Sequence, residues 1–316
     1  MQARVLNFVK YYGTLACFIF LVLLFWALLP STFMTFRNIA NITQQQSMLA
    51  VVAFTMTVVM AMGDFDLSVG SMASLSGIVA AVTFHYTGSV PLGIALALIV
   101  GLAGGAFNGW LVSFIGILPF VATLGTLTIF GGVAFIVSGG KTWFGGDIPA
   151  DFSAIAKGTL GFIPNLTIIA ALVLAVIWWL LEKRVFGRHL YAMGGSAEAA
   201  RLSGVPVQSL RLSAFAIAGF GAALAGLMYA SRVASANPTQ GSGLMLDAIA
   251  AVFLGMTMSR HGEPRVLHTL VGVLFLGILG NGLTQLSVDS YIRDVLVGAI
   301  IIAAVAFSSY EQLRKN

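Results

Sequence analysis

The chain has 316 residues, of which 59% are hydrophobic and only 9% are charged, and its formal net charge is +5. Soluble domains carry about 25% charged residues, and a mean hydropathy of +0.97 leaves too little polar sequence to cover a water-facing surface. The composition therefore excludes a soluble globular protein and predicts an all-α integral membrane protein.

The first apolar run, residues 12–30, resembles a signal peptide only superficially. Signal-peptide cores span about 7 to 15 residues and end at small residues, whereas this run is longer and no such site follows it. We interpret it as a retained helix. It contains the single cysteine, Cys17, so no internal disulfide can form.

Apolar stretches long enough to approach the roughly 20 residues of a membrane span occur at ten places. The predicted spans are residues 12–33, 46–62, 69–86, 91–115, 120–138, 161–181, 211–232, 246–259, 266–286 and 290–308. The third is rich in Ser and Gly and the eighth is short, features that often mark broken helices beside a transport pathway. No soluble domain fits between the spans, so residues 1–316 are predicted to form one transmembrane domain.

The distribution of basic residues predicts the orientation, because cytoplasmic loops carry an excess of Lys and Arg. With a cytoplasmic N-terminus, ten spans place eleven basic residues inside, against five outside. The inside residues are Arg4, Lys10, Lys183, Arg184, Arg188, Arg201, Arg211, Arg260, Arg265, Arg314 and Lys315. Both termini are then cytoplasmic, and the net positive charge reflects membrane topology and does not indicate nucleic-acid binding.

Small residues recur every four positions along the fourth predicted span. They are Gly93, Ala97, Gly101, Gly105 and Gly109. Such a stripe lets another helix backbone approach closely, so we interpret it as a helix-packing surface.

Two parts of the chain share an order of features that predicts an internal repeat. Asp66 and Asp247 each open a small-residue segment, and Asn108-Gly109 and Asn281-Gly282 each fall in the following span. We therefore predict that spans 2–5 and 7–10 are structural repeats, a common arrangement in transporters.

The aspartates allow two interpretations. Asp66 and Asp247 can cap the helices that follow, since Asp suits the positive end of a helix, or their carboxylates can face an aqueous cavity. For Asn108 and Asn281, a hydrogen bond between helices is the simpler interpretation. Asp64 is expected to be more expendable than Asp66.

The polar stretch 182–211 contains a short helix with defined ends. Ser196 is a good N-cap and Glu198 falls in the first turn. Gly204 suits the position after the C-cap, and Pro206 prevents continuation. Isolated helices shorter than about 12 residues are marginal in water, so this helix needs a docking surface. The alternative is an amphipathic connection that rests on anionic lipid.

Signatures of enzymes are missing from the sequence. The GGKT stretch at 139–142 ends like a phosphate-binding loop, but Phe135 stands where that motif needs its first glycine. The four histidines, His85, His189, His261 and His268, show no metal-ligand spacing. We therefore predict no catalytic residue, no metal site and no cofactor bound by this chain.

Four stretches of the chain resemble the membrane permease subunits of bacterial ABC importers for monosaccharides such as ribose, xylose and arabinose. They are GDFDLSVGSMASLSG, ILPFVATLGTLTIFGGVAFIVSGG, FGRHLYAMGGSAEAARLSGVPV, and LDAIAAVFLGMT paired with GILGNGLTQL. They cover most of the chain in the order found in that family. Residues 255–268 depart from it, because Met256, Arg260, His261 and Glu263 stand where relatives have mostly glycine.

The resemblance implies an inner-membrane importer that moves a pentose or similar sugar through two permease copies. A periplasmic sugar-binding protein would deliver the sugar, and a separate cytoplasmic subunit would bind ATP and Mg²⁺. The residues implied to contact that subunit are Glu198, Ala199, Ala200, Arg201, Ser203 and Gly204. The candidates for the substrate pathway are Asp66, Ser68, Asn108, Thr123 and Asn281.

Other function classes remain open from the residues alone. Repeats, broken helices and membrane carboxylates also suit a secondary transporter driven by an ion gradient. A passive facilitator would need neither ATP nor a binding protein. A membrane-embedded enzyme is disfavoured because no catalytic constellation is present.

Overall fold

The computed structural model describes residues 2–259, 262–292, 294–300 and 302, with side chains from residue 13 onward. The helices up to residue 285 are α1 (Gln2–Leu28), α2 (Phe36–Ala61), α3 (Val69–Thr87), α4 (Val90–Trp110), α5 (Pro119–Ser138), α6 (Ala150–Lys157), α7 (Asn165–Trp178), α8 (Val185–Gly195), α9 (Ala197–Leu202), α10 (Val207–Val233), α11 (Ser242–Met256) and α12 (Val266–Gln285). The described part of the chain also has four two-residue strands, which are β1 (Trp143–Phe144), β2 (Thr159–Leu160), β3 (Ile163–Pro164) and β4 (Ser235–Ala236). Helices α4 and α7 continue as π-helical turns, Leu111–Ile115 and Trp179–Lys183.

The fold is an all-α membrane fold, as the composition predicts. Within the described residues, seven helices are long and apolar enough to cross a membrane, and Gly13–Leu28 and Ser242–Met256 are shorter apolar helices. The tenth predicted span, 290–308, is helical at 290–292, 294–300 and 302, and its other residues lie outside the described part. The predicted start of the second span at residue 46 is wrong, because α2 begins ten residues earlier.

The helices divide into an inner and an outer group by burial. The apolar windows of α2, α3, α10 and α12 are 56 to 78% buried, whereas those of α4, α5 and α7 are only 22 to 28% buried. The outer helices expose large apolar side chains, including Ile99, Phe120 and Ile136. A surface of this kind is stable against lipid tails and would be unstable in water.

The small-residue stripe of α4 packs against α3 at Gly93 and against α10 at Gly101, Gly105 and Gly109, which confirms its interpretation as a packing surface. All five residues of the stripe are buried. A Cβ added to Gly105 would collide with the Phe215 carbonyl oxygen, and one added to Gly109 would lie 2.6 Å from the Leu212 Cα. The two backbones are therefore in direct contact, which only glycine permits at these positions.

Helices α3 and α11 begin next to each other inside the helix bundle. A Cβ added to Gly70 would lie 2.8 Å from the Gly241 carbonyl oxygen, and one added to Gly241 would collide with the Gly70 carbonyl oxygen. The Gly241 N–H donates to the Ser74 hydroxyl at 2.8 Å. Both helices therefore start at buried positions, in contact with each other.

The order of elements agrees with the predicted repeat. In each half a long helix (α2 or α10) leads into an internal helix start (α3 or α11), followed by a helix that carries Asn-Gly (α4 or α12). Five apolar helices, α2, α3, α4, α5 and α7, separate the start of α2 from the start of α10. Because five is odd, the two halves have opposite orientations.

The sequence has two polar stretches, 141–158 and 182–211, and they lie at opposite ends of α10. At its C-terminal end, β4 pairs with β1, and the Ser231 hydroxyl donates to the Phe152 carbonyl oxygen at 2.6 Å. We call this the strand end. At the N-terminal end of α10 lie α8 and α9, which we call the coupling end. Arg265 belongs to the coupling end, because its Nη1 lies 2.8 Å from Oε2 of Glu182.

The contact between α4 and α10 gives a first test of the fold. Replacing Gly105 by Val should force the two backbones apart, a change that costs about 1–3 kcal/mol in well-packed proteins. We expect a lower midpoint of thermal unfolding in detergent and a lower yield of monodisperse protein. Gly125→Val on α5 is the matched control, because a Cβ there meets no atom within 4 Å. Equal stability of the two variants would contradict the described packing.

Candidate functional site

Three of the five predicted pathway residues form one buried cluster. The Asp66 Oδ1 accepts hydrogen bonds from the Ser68 N–H at 2.9 Å and the Ser68 hydroxyl at 2.6 Å. The Asn108 Nδ2 donates to the Ser68 hydroxyl at 2.8 Å and to the Asp66 Oδ1 at 3.5 Å. Asp66 and Asn108 are 1% and 0% exposed. The cluster therefore joins α4 to the start of α3. Asn108 makes the hydrogen bond between helices that the simpler of its two interpretations predicted.

Asp66 is not the N-cap residue of α3. The cap position belongs to Ser68, whose side chain makes no capping hydrogen bond. The Ser68 hydroxyl instead donates to Asp66, and the Asp66 carboxylate holds the backbone two residues ahead of it, the geometry of an Asx-turn. Asp247 also differs from a cap, because it lies within α11.

Asp64 has a partner of its own. Its Oδ2 lies 2.7 Å from the Arg211 Nε, and the two side chains are 9% and 21% exposed. Gly63, the residue before it, lies against α8, since a Cβ there would be 3.9 Å from the Gly194 Cα. The expectation that Asp64 is the more expendable aspartate overlooked this ion pair, which joins residues 147 positions apart in sequence.

Thr123 and Asn281 do not join the buried cluster. The Thr123 hydroxyl donates to the Pro119 carbonyl oxygen of its own helix at 2.8 Å. The Asn281 carboxamide pairs with that of Asn38 on α2 through two reciprocal hydrogen bonds of 2.9 and 3.0 Å. Asn281 therefore belongs to the strand end, where it lines a cavity.

This cavity has a volume of about 930 Å³ and lies between the start of α2, the end of α12 and the β2–β3 hairpin. Carboxamides dominate its polar lining, so we call it the carboxamide cavity. They belong to Asn38, Asn41, Gln44, Gln45, Gln46, Asn281 and Gln285. The sequence analysis missed most of them because the second span was predicted to begin at residue 46. The run of Asn and Gln from 38 to 46 was the signal, since such residues rarely face lipid.

The short helix of the coupling end has the predicted caps at both ends. The Ser196 hydroxyl accepts the Ala199 N–H at 3.2 Å. Gly204 follows the C-cap with φ +84, and the Val205 N–H donates to the Ala200 carbonyl oxygen at 3.1 Å. Together with the hydrogen bond from the Gly204 N–H to the Arg201 carbonyl oxygen, this is a Schellman motif. The helix Ala197–Leu202 is one residue short of two turns, close to the predicted length.

Most of α9 faces away from the protein. Of its six residues, Ala200 alone is buried, whereas Leu202 is 79% exposed. Glu198 and Arg201 form an exposed ion pair of 2.7 Å. The hydrogen bond from the Arg201 guanidinium lowers the pKa of Glu198, which therefore stays ionised at neutral pH. The helix thus presents an apolar side chain beside a fixed pair of opposite charges, and the sequence analysis missed Leu202.

Aromatic and basic residues surround the coupling end. The Arg184 guanidinium lies 3.8 Å from the centre of the Trp179 ring, and the Lys183 amine lies 5.1 Å from that of Trp178. Tryptophans beside basic residues are typical of the membrane–water interface. In the stretch that departs from the family pattern, Glu263 forms an ion pair with Arg265, and Arg260 and His261 lie outside the described residues.

Comparison with known families decides the class of the protein. Residues 38–305 match the family described as "Branched-chain amino acid transport system / permease component". The chain belongs to this permease family. The match covers the first predicted repeat, all but the last three residues of the second, and the whole coupling end, so α3, α11 and α9 lie within the family's shared region.

Individual relatives of the permease extend over almost its full length. The ribose import permease protein of Haemophilus influenzae is 37% identical over 285 residues, 90% of this chain and 88% of that protein. The D-allose and L-arabinose transport system permease proteins of Escherichia coli are 35% and 34% identical, over 93% and 96% of this chain and 90% and 92% of their own lengths. No solved structure matches the permease.

The Asp64–Arg211 pair predicts a measurable energetic coupling. Removing one partner of a buried ion pair costs about 3 kcal/mol or more, because the other charge stays buried without compensation. Asp64→Ala and Arg211→Ala should each lower the stability of the permease in detergent, and the double variant should lose less than the sum. The exposed Glu198–Arg201 pair is the matched control, for which we expect little coupling. Additive losses for Asp64 and Arg211 would contradict the pairing.

Proposed function

We propose that this chain is the permease subunit of an ATP-driven importer that carries a monosaccharide, a pentose or a similar simple sugar, across the inner membrane. The observation that carries the proposal is α9, a doubly capped helix that exposes Leu202 and a fixed ion pair at one end of a membrane domain. The sugar is supported by the relatives, which are named for ribose, allose and arabinose, although the family name refers to amino acids.

The partner at the coupling end is a separate ATPase subunit, which binds the ATP and Mg²⁺ that this chain does not. Its contact is made by α9 and the turn after it. The contact residues are Glu198, Ala199, Arg201, Leu202, Ser203 and Gly204, with Ala200 holding the helix to the rest of the permease. Leu202 is the anchor of this contact, since it is a large apolar side chain that α9 leaves exposed to water and its burial against a partner is favourable.

A backbone contact connects α9 to the centre of the membrane domain. Gly194, near the end of α8, lies so close to α2 that a Cβ on it would collide with the Ala61 carbonyl oxygen. The chain continues from Ala61 through Asp64 to Asp66 and the start of α3. A displacement of α8 and α9 by the ATPase therefore pushes on the connection that holds the buried cluster, and in this way ATP hydrolysis changes the start of α3.

The strand end is the side that receives the sugar from a periplasmic binding protein, and the coupling end and both termini are cytoplasmic. This orientation follows from the excess of basic residues predicted inside. Two copies of the permease form the complete pathway, and the apolar surfaces of α4, α5 and α7 contact lipid or the second copy.

The coupling contact predicts that reversing the charges on α9 abolishes binding of the ATPase. Glu198→Lys with Arg201→Glu keeps an ion pair within the helix but inverts its direction, so α9 stays folded while its surface changes. The double variant should reach the membrane normally and fail to co-purify with the ATPase subunit. Lys157→Glu, at the exposed strand end, is the control and should co-purify like the unaltered chain. Sugar uptake that persists without ATP would support the ion-gradient alternative instead.

Replacing Leu202 tests the anchor separately. Burying a leucine side chain is worth about 1.5–3 kcal/mol, so Leu202→Ser should weaken ATPase binding by roughly tenfold to a hundredfold. Because Leu202 is exposed in the permease alone, its own stability in detergent should not change. Titration of the solubilised permease with the ATPase subunit measures the affinity, and an unchanged affinity would exclude Leu202 from the contact.

A further inference from the structure

The carboxamide cavity lies away from the coupling contact, and two of its carboxamides take no part in joining α2 to α12. Asn41 and Gln45, one helical turn apart on α2, are both exposed in it. Exposed carboxamides are costly against lipid tails, because each carries donors and acceptors that hydrocarbon does not satisfy. This part of α2 must therefore face water or a polar ligand.

One wall of the cavity is fixed by hydrogen bonds between its own side chains. Asn38 and Asn281 bond reciprocally, Gln285 donates to the Asn281 Oδ1 at 2.8 Å, and Thr32 donates to the Gln285 Oε1 at 2.7 Å. This network joins α2, α12 and the turn after α1. Because its members hold one another in place, the wall keeps its shape without a ligand, as binding sites usually do.

Asn41 and Gln45 supply the groups that a ligand can reach. The Gln45 Nε2 donates to the Asn41 Oδ1 at 3.1 Å. This bond uses one amide proton of Gln45 and orients both side chains, while the Asn41 amide donors and the Gln45 carbonyl oxygen are available to a ligand. A sugar hydroxyl both donates and accepts a hydrogen bond, so a fixed donor beside a fixed acceptor matches it.

Aromatic side chains complete the cavity. Phe36 and Phe162 contact each other edge to face, with ring centres 5.7 Å apart, and both are exposed. Monosaccharides carry C–H groups on the faces of their rings as well as hydroxyl groups on the edges. Apolar rings beside carboxamides therefore offer contacts to both parts of such a molecule.

The charges of the lining argue against an amino acid. Arg37 is the charged residue among the lining side chains of the described cavity, which include no Asp or Glu. A free amino acid carries an ammonium group, and the lining offers that charge carboxamide oxygens but no carboxylate to pair with. A neutral polyol needs no charged partner.

We infer that the carboxamide cavity is a receiving site for the monosaccharide, in which Asn41 and Gln45 bind sugar hydroxyls and Phe36 and Phe162 contact the ring. The site lies at the strand end, and its volume of about 930 Å³ holds a monosaccharide together with water. This inference rests on the proposed function. The inference adds a defined binding site to the proposed function, and it favours sugars over the amino acids in the family name.

The test uses the permease with its ATPase and binding protein in proteoliposomes. Cys17 is first replaced by Ser, and Gln45→Cys then places one thiol in the cavity. An impermeant methanethiosulfonate reagent is added on the side of the strand end, with D-ribose, L-arabinose, D-allose or leucine present. Tyr86→Cys is the matched control, because Tyr86 is 75% exposed at the same end but does not line the cavity.

We expect the transported sugar to slow labelling of Gln45→Cys about threefold when the sugar concentration is twice the dissociation constant of the sugar for this variant. Leucine should have no effect, and labelling of Tyr86→Cys should not respond to sugar. Asn41→Leu should reduce the rate of uptake at limiting sugar concentration about tenfold, because the variant loses one or two hydrogen bonds to the sugar. Its co-purification with the ATPase should be normal.

The outcomes separate this inference from the proposed function. ATP-driven sugar uptake without any protection of Gln45→Cys would overturn the receiving site and leave the importer intact. Protection by leucine, or by the binding protein without sugar, would also overturn the inference. Absence of ATP-driven uptake of every sugar by the unaltered complex would refute the proposed function itself.

Discussion

The contact between the backbones of Gly70 and Gly241 is the constraint on which the centre of the permease depends. It brings the first turns of α3 and α11 together. The backbone N–H groups in the first turn of a helix have no partner within that helix. Helix starts carry partial positive charge, so two of them repel unless negative groups lie nearby. The Ser74 hydroxyl accepts the N–H of Gly241, and Asp66 places a carboxylate just before α3. Side-chain oxygens therefore accept backbone N–H groups at both of the helix starts that the close packing brings together.

The polar groups of the permease are concentrated where the backbone departs from long helices. The buried cluster lies at the start of α3, the Asp64–Arg211 pair lies between that start and α10, and the capped helix lies beyond α8. The connection from α2 to α3 contains Asp64 and Asp66, and it reaches α8, the helix before the capped helix, because Gly63 and Ala61 contact Gly194. A segment of seven residues thus joins the interior of the membrane domain to its coupling end.

Local patterns in the sequence predicted those features that depend on local interactions. The caps of α9 follow from residues within ten positions of each other, and the small-residue stripe of α4 follows from helical periodicity. The start of α2 was placed too late because apolarity was the criterion, whereas Asn and Gln are stable in this helix where it borders the cavity. The partners of Asp64 and Asn281 could not be predicted, since Arg211 and Asn38 lie far away in the sequence and only the folded chain brings them close.

The short ladder between β1 and β4 has a mechanical consequence for transport. It pairs Trp143 with Ala236 and Phe144 with Ser235. The segment that follows the first repeat is thereby hydrogen-bonded to the residues that follow α10, the first helix of the second repeat. Separating the repeats at this end would break backbone hydrogen bonds and leave their donors and acceptors unsatisfied. The ladder therefore resists separation of the two repeats at the strand end, so a movement that parts them there has to break these backbone hydrogen bonds first.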